Sequence, residues 1–250
     1  MPGGRRSVRL RGIVLGRTKL AEQDLILTIL AQDGSQVRAV AKGARKPGGR
    51  LASRVELFCE TDFLISRGRS LGIVSEASLI EVHEGLRGDL ERVSAASVIA
   101  EIGRLCCYEE VQDGYLYPIC SRALRACEQA DGQAHLDLVV AAYAFKLLSH
   151  AGWRPELSYC IACGDTAVSH YSAAAGGLLC SSCAKNLEGT TELSTSEVGW
   201  MRALIGLTFD QLLESEIDPD TAALLLSLAH SWCAMHLEAR LRAFEFMLSV

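Results

Sequence analysis

Four cysteines constrain this chain more than any other feature. Cys160-x₂-Cys163 and Cys180-x₂-Cys183 stand sixteen residues apart, two thiol pairs able to close on one ion. A two-residue gap lets both sulfurs of a turn face the same point, and two such turns complete a tetrahedron. Gly164 behind the first pair, and Gly176-Gly177 ahead of the second, supply the backbone freedom that tight turns need. Tyr171, between the pairs, is expected to cover the site from a short hairpin. A structural zinc ion, one per chain, is the reading this spacing favours, because four thiolates leave no open coordination position. An iron–sulfur cluster or a pair of redox dithiols stays open as an alternative, although a redox pair normally accompanies a βαβ pattern and none is present. The remaining cysteines, Cys59, Cys106, Cys107, Cys120, Cys127 and Cys233, fall mostly in apolar helical stretches and read as small buried hydrophobes.

The sequence on either side of this module changes period. Val8–Leu15, Leu25–Leu30, Val37–Val40, Val55–Ile65 and Leu71–Ile80 read as five strands, with Asp33-Gly34 as a hairpin turn and Arg67-Gly68-Arg69 as another. Five short strands in so few residues predict a small barrel of the oligonucleotide-binding (OB) type. Beyond residue 82 the spacing turns helical: Val93, Ala96, Ala100 and Leu105, then Tyr115–Glu128, then Leu136, Val139, Val140, Tyr143 and Leu147, closed by Gly152 and Pro155. Ser194 with Glu197 forms a capping box, and Asp218 with Pro219 starts a long helix expected to run through Trp232 and His236 to Leu241. The fold class is α+β and multidomain: an OB barrel over 1–81, a helical domain over 82–155, an inserted four-cysteine zinc module over 156–189, and C-terminal helices over 190–250 packing on the helical domain.

Charge is divided along the same line. The formal net charge is −5, which taken whole argues against binding a polyanion. Residues 1–80, however, hold fourteen Lys/Arg against seven Asp/Glu, and the remainder holds eleven against twenty-three. A head of +7 therefore sits on a body of −12. Arg9, Arg11, Arg17, Lys19 and Arg38 lie on or beside predicted strands, and Lys42, Arg45, Lys46 and Arg50 crowd one loop rich in Gly and Pro. Alternation with Val8 and Leu10 puts Arg9 and Arg11 on one sheet face. These nine side chains are the expected nucleic-acid contacts. Only Phe58 and Phe63 are aromatic in the head, so binding should rest on phosphates, with weak sequence preference and strong salt dependence.

Catalytic signatures are missing. There is no phosphate-binding loop and no nucleophile elbow. His236-x-Glu238 matches part of a deaminase motif but follows both cysteine pairs instead of preceding them, so His236 reads as a packing residue. The paired Glu109-Glu110 reads as a surface turn. The basic amino terminus lacks the apolar core of a secretory signal, and no apolar run is long enough to span a membrane. A cytoplasmic protein that is not an enzyme is expected.

Several runs together resemble one family. Arg11-Gly12-Ile13-Val14-Leu15, Glu22-Gln23-Asp24 ahead of Leu25-Ile26-Leu27-Thr28, and Val40-Ala41-Lys42-Gly43-Ala44-Arg45-Lys46-Pro47 look like the barrel of the bacterial recombination mediators called RecO. Phe145-Lys146-Leu147-Leu148, Gly152, Pro155, the knuckle Cys160-x₂-Cys163-Gly164 and Gly176-Gly177-Leu178-Leu179-Cys180 continue the similarity, in order, over most of residues 9–185. The resemblance implies a nucleoid-associated protein of DNA repair and recombination after DNA damage, in the RecF pathway. It implies binding of single- and double-stranded DNA and annealing of complementary strands. It further implies, with RecR, loading of RecA onto DNA coated by single-strand-binding protein. Carried onto this chain, its DNA contacts include Lys42, Arg45, Lys46 and Arg50. Gly48-Gly49 stand where the family usually adds a basic residue and a serine. The family's site for the acidic tail of single-strand-binding protein falls near Ala141-Ala142-Tyr143, which offers no arginine. A zinc-ribbon transcription regulator or protein-interaction scaffold without annealing activity is the competing reading. A metal hydrolase is disfavoured by the closed set of four cysteines.

Overall fold

Alternate burial along the first strands sets the architecture of the amino-terminal part. In β2 (Leu25–Ala31), Leu25, Leu27 and Ile29 point into one core, which also takes Val14, Ala39, Ala41, Phe63, Ile65, Val74 and Ala77. The computed structural model describes residues 7–68 and 70–249. The basic terminal residues Arg5 and Arg6, and Arg69 of the expected turn, lie outside them. Within this range β1 (Ser7–Lys19), β3 (Gln36–Ala41), β4 (Glu60–Ser66) and β5 (Gly72–Glu81) join β2.

Strand β1 is long enough to serve two partners. Its first half pairs with β4, from Ser7↔Ser66 to Ile13↔Glu60, and its second half with β2, from Gly12↔Ala31 to Lys19↔Leu25. The two ladders overlap at Gly12 and Ile13, and the β1–β2 register shifts just beyond, between Val14 and Gly16. Antiparallel β2–β3 and β4–β5 pairs follow, and a short parallel join at Ala39↔Gly72 and Val40↔Ile73 closes the ring in the order β1-β2-β3-β5-β4. All five expected strands form, but β4 starts at Glu60 and not at Val55. A single 3₁₀ turn occupies Ala52–Arg54, and Phe58 adopts φ +68°, which an extended chain cannot accommodate.

The chain divides into two compact units, one up to Glu128 and one from Gln129 on. The expected helical segment 82–155 therefore falls on both sides. Its first helix, α1 (Leu90–Cys106), is capped by Asp89 and packs on β1 and β2, because Ile13, Leu15 and Leu30 give the barrel a second apolar surface outside its core. Gln36, the first residue of β3, donates from Nε2 to the carbonyls of Cys107 (3.0 Å) and Arg104 (3.2 Å), closing the end of α1. The following helix, α2 (Leu116–Gln129), receives Arg92 Nη1 at the carbonyls of Cys127 and Glu128.

The second unit is built around α3 (Gln133–His150), whose residues Leu138–Phe145 are all buried, so it is apolar on every side. Against it pack α5 (Thr195–Gly206), α6 (Phe209–Leu213) and α7 (Pro219–His236). Between α3 and α5 the chain forms β6 (His170–Ser172), β7 (Gly177–Leu179), α4 (Ser181–Ala184) and β8 (Thr191–Glu192), with the strands ordered β7-β6-β8. The Ser194 capping box and the Asp218–Pro219 start form as expected. The long terminal helix does not. Glu238 at φ +46° ends α7 after His236, and a separate α8 (Arg242–Met247) follows. Lys146 Nζ donates to the carbonyls of Ile205 (2.8 Å) and Leu207 (2.5 Å), capping α5, and burial pushes its pKa down to about 8. Among the described residues no helix is long and apolar enough to cross a membrane.

Candidate nucleic-acid interface and metal centre

The basic loop after β3 is held open by backbone chemistry. Asp24, at the start of β2, accepts a hydrogen bond at Oδ1 from the Gly43 N–H (2.8 Å). Three successive turns then carry the chain forward: Lys46 N to Gly43 O, Gly49 N to Lys46 O, and Ala52 N to Gly49 O. Gly43 and Gly48 take positive φ, and a Cβ at Gly49 would meet the Gly43 and Lys46 carbonyl oxygens within 3 Å. Gly48 and Gly49 thus suit the loop's own path, the first by its positive φ and the second by its close approach to these carbonyls. Lys42, Lys46 and Arg50 are exposed and have no acidic partner among the described residues.

Arg45 behaves differently. Its Nη1 donates to the carbonyl of Glu22 (2.7 Å) and its main-chain N–H to that of Gln23 (3.0 Å), so it clamps the loop to the β1–β2 turn. Two strand arginines are also engaged within the fold. Arg11 sits opposite Asp62 and forms a two-point pair, Nε–Oδ1 2.9 Å and Nη2–Oδ2 3.3 Å, which holds the Asp62 carboxyl below its ordinary range. Arg17 pairs with Glu56. Arg9 does share a face with Arg11, but Asp62 and Glu76 line the same open cleft, so that face is of mixed sign. Arg38 and Lys19 are exposed and without an acidic partner among the described residues. Phe58 and Phe63 are both buried, which leaves the barrel strands no ring for stacking.

In the second unit the four cysteines converge. The Sγ atoms of Cys160, Cys163, Cys180 and Cys183 all lie within 4.8 Å of one another, and Cys163 and Cys180 are 3.7 Å apart. Tetrahedral thiolates at zinc distance stand about 3.8 Å apart, so a set with this spacing could hold such an ion. Burial works against a charge on Cys160, yet N–H groups of Cys180, Cys163 and Ala162 point at its sulfur and bring its pKa down to about 6. Gly164 at φ +80° lets its N–H return to the Cys160 carbonyl (2.8 Å) and closes the first knuckle. Tyr171 does not cover this site. Its side of β6 faces the helices, where its ring lies 6.2 Å from that of Trp232, and Val168, Ala175 and Leu179 pack by the cysteines instead. Of the other cysteines, all but the half-buried Cys106 are buried.

Both halves of the chain have matches in one family. Residues 6–83 match the family described as Recombination protein O N terminal, and residues 87–244 match Recombination protein O C terminal. The chain belongs to the recombination protein O family. A DNA repair protein RecO of Roseiflexus sp. (strain RS-1) is 35% identical over 245 residues, covering 97% of this chain and 85% of that protein. A DNA repair protein RecO of Bifidobacterium longum subsp. infantis is 32% identical over 242 residues, covering 96% and 98%. Another, from Desulforamulus reducens, is 29% identical over 243 residues, covering 96% and 93%. Membership places the chain with proteins of DNA repair.

Two features of the first unit carry no signal in the sequence. Glu81, His83 and Glu128 meet at the end of β5, with His83 Nδ1 3.1 Å from Glu128 Oε2. Arg125 holds Glu81 (2.8 Å) and the Gly85 N–H holds Glu128 (2.8 Å), so the group ties α2 to the barrel. Burial opposes the Glu128 charge, but Gly85 and His83 keep its carboxyl below the usual range. The second feature is Arg104, on the last turn of α1, whose side chain lies over Gly16. In the second unit, Ala141, Ala142 and Tyr143 are buried in α3 and present no surface.

Proposed function

We propose that the chain is a non-enzymatic mediator of recombinational DNA repair. The barrel is of the OB type and binds single- and double-stranded DNA through phosphate contacts. Neutralising two strands at once lets it anneal complementary sequences without ATP. Acting with RecR, it helps load RecA onto DNA coated by single-strand-binding protein, and the acidic body supplies surface for these protein partners. Zinc held by Cys160, Cys163, Cys180 and Cys183 is structural: it fixes the module and takes part in no chemical step. The protein works in the bacterial cytoplasm, at the nucleoid.

One observation carries this reading. Lys42, Lys46 and Arg50 are displayed on a loop braced by Asp24 and Arg45, with no acid to neutralise them among the described residues. Cations that a fold holds out unpaired are available to phosphates. Annealing of complementary oligonucleotides by the wild type and by the Lys42→Glu, Lys46→Glu, Arg50→Glu triple variant is the test. ATP-independent annealing that the triple variant loses supports the mediator reading. No annealing by the wild type would favour a scaffold.

A further inference from the structure

The outer face of β1–β2–β3 has a glycine and a threonine at its centre. Gly16 pairs with Thr28, and Thr28 in turn pairs with Arg38. Leu27, Ile29 and Ala39 point into the core, so Thr28 and Arg38 point outward by alternation. Arg38 stands one strand beyond Thr28 on this face. Arg104 lies over Gly16: its Cδ is 3.6 Å from where a Cβ on Gly16 would stand, and Thr28 Cβ lies 3.4 Å from that point. A second anchor fixes the same relation: Gln36, two residues before Arg38 on the same strand face, donates to the Arg104 carbonyl (3.2 Å). Arg104 is exposed and has no acidic partner among the described residues.

Four residues on, Tyr108 presents a ring that is 62% exposed, while its carbonyl accepts from the Gln36 N–H (2.9 Å). The barrel strands themselves offer no exposed aromatic side chain. An outer face with Gly16 and Thr28 at its centre, carrying Arg38 and Arg104 and followed by an exposed ring, suits a polynucleotide. The phosphates take the cations and an unpaired base takes the ring.

We propose that the carboxyl end of α1 and the residues just after it complete the DNA-binding face, with Arg104 as a phosphate contact alongside Arg38 and Tyr108 as a stacking platform for an unpaired base. This rests on the DNA-binding reading above and extends it to a helix outside the barrel. The two residues separate by substrate. Phosphates are present in single strands and duplexes alike, whereas a base free to stack exists only in a single strand.

Fluorescence anisotropy of the full chain with a 30-nucleotide oligothymidylate, and with a duplex of equal length, between 50 and 200 mM salt, provides the test. Arg104→Ala is expected to weaken both substrates and to reduce the slope of log K against log salt by about 0.7 for the single strand and about 0.9 for the duplex. Tyr108→Ala should weaken the single strand by about fivefold or more and leave the duplex unchanged, while Tyr108→Phe keeps wild-type affinity. Far-UV circular dichroism and melting confirm that each variant is folded. If the wild type binds with a steep salt slope that Lys42, Lys46 and Arg50 account for, and the Arg104 and Tyr108 variants bind like the wild type, the inference is overturned while DNA binding stands. A wild type that binds neither substrate overturns the functional reading itself.

Discussion

Gly34 meets two demands at once. Its φ of +87° suits the tight β2–β3 turn, and any Cβ there would stand 1.8 Å from the Asp113 carbonyl oxygen. The first demand was legible in the Asp33-Gly34 pair; the second was not, because it depends on a residue seventy-nine positions away. Gly34→Ala is expected to cost at least about 2 kcal/mol in urea unfolding, since left-handed strain and a backbone clash add. His236 is a second case. It stacks on Trp153 at 4.5 Å, meets Trp232 edge-on at 4.3 Å, and its buried Nε2 has no hydrogen-bond partner among the described residues. Burial lowers its pKa below 6.5. The folded state thus prefers the neutral ring, so its contribution to stability is complete above pH 6.5 and is lost as pH falls through the lowered value. His236→Phe should flatten the acid limb of the stability profile, and in the wild type indole fluorescence should titrate with the same midpoint.

Elements show where sequence signals stop. Helix starts at Ser194 and Asp218 were readable because a cap is a local arrangement of neighbouring residues, and Ser194→Ala should cost about 1 kcal/mol in a melt. The end of α7 was hidden: Leu237 and Leu241 continue its apolar pattern, and only the backbone at Glu238 breaks it. The basic loop was readable as charge but not as roles. Nothing local tells that Arg45 spends its guanidinium on the Glu22 carbonyl, or that Arg11 and Arg17 are held by Asp62 and Glu56. Arg45→Lys makes the distinction measurable. The charge is kept but the planar fork is lost, so affinity for an oligonucleotide should fall about threefold with the salt slope unchanged. A change in slope would mean that Arg45 contacts phosphate directly.

At the scale of the whole molecule, the order of strands and helices was legible because periodicity and turn residues are local, and the cysteine spacing announced its own cluster. The grouping of α1 and α2 with the barrel was not, since it follows for α1 from the apolar outer surface made by Ile13, Leu15 and Leu30, and for α2 from the distant polar links of Glu81 and His83 to Arg125 and Glu128. Metal analysis should find about one zinc per chain, and chelation should unfold β6–β8 and expose Trp232 through its neighbour Tyr171, seen as a red shift of emission. Metal-free protein with an unshifted spectrum and the same melt would contradict this. The short parallel join between β3 and β5 has a consequence in time as well as in space. A cylinder welded along four long seams and one brief one opens first at the brief one. Amides around Ala39–Ala41 and Gly72–Ile73 should therefore trade hydrogen for deuterium sooner than those in the β1–β2 ladder. A strand of DNA lying across Arg38 and Lys42 is expected to slow that clock.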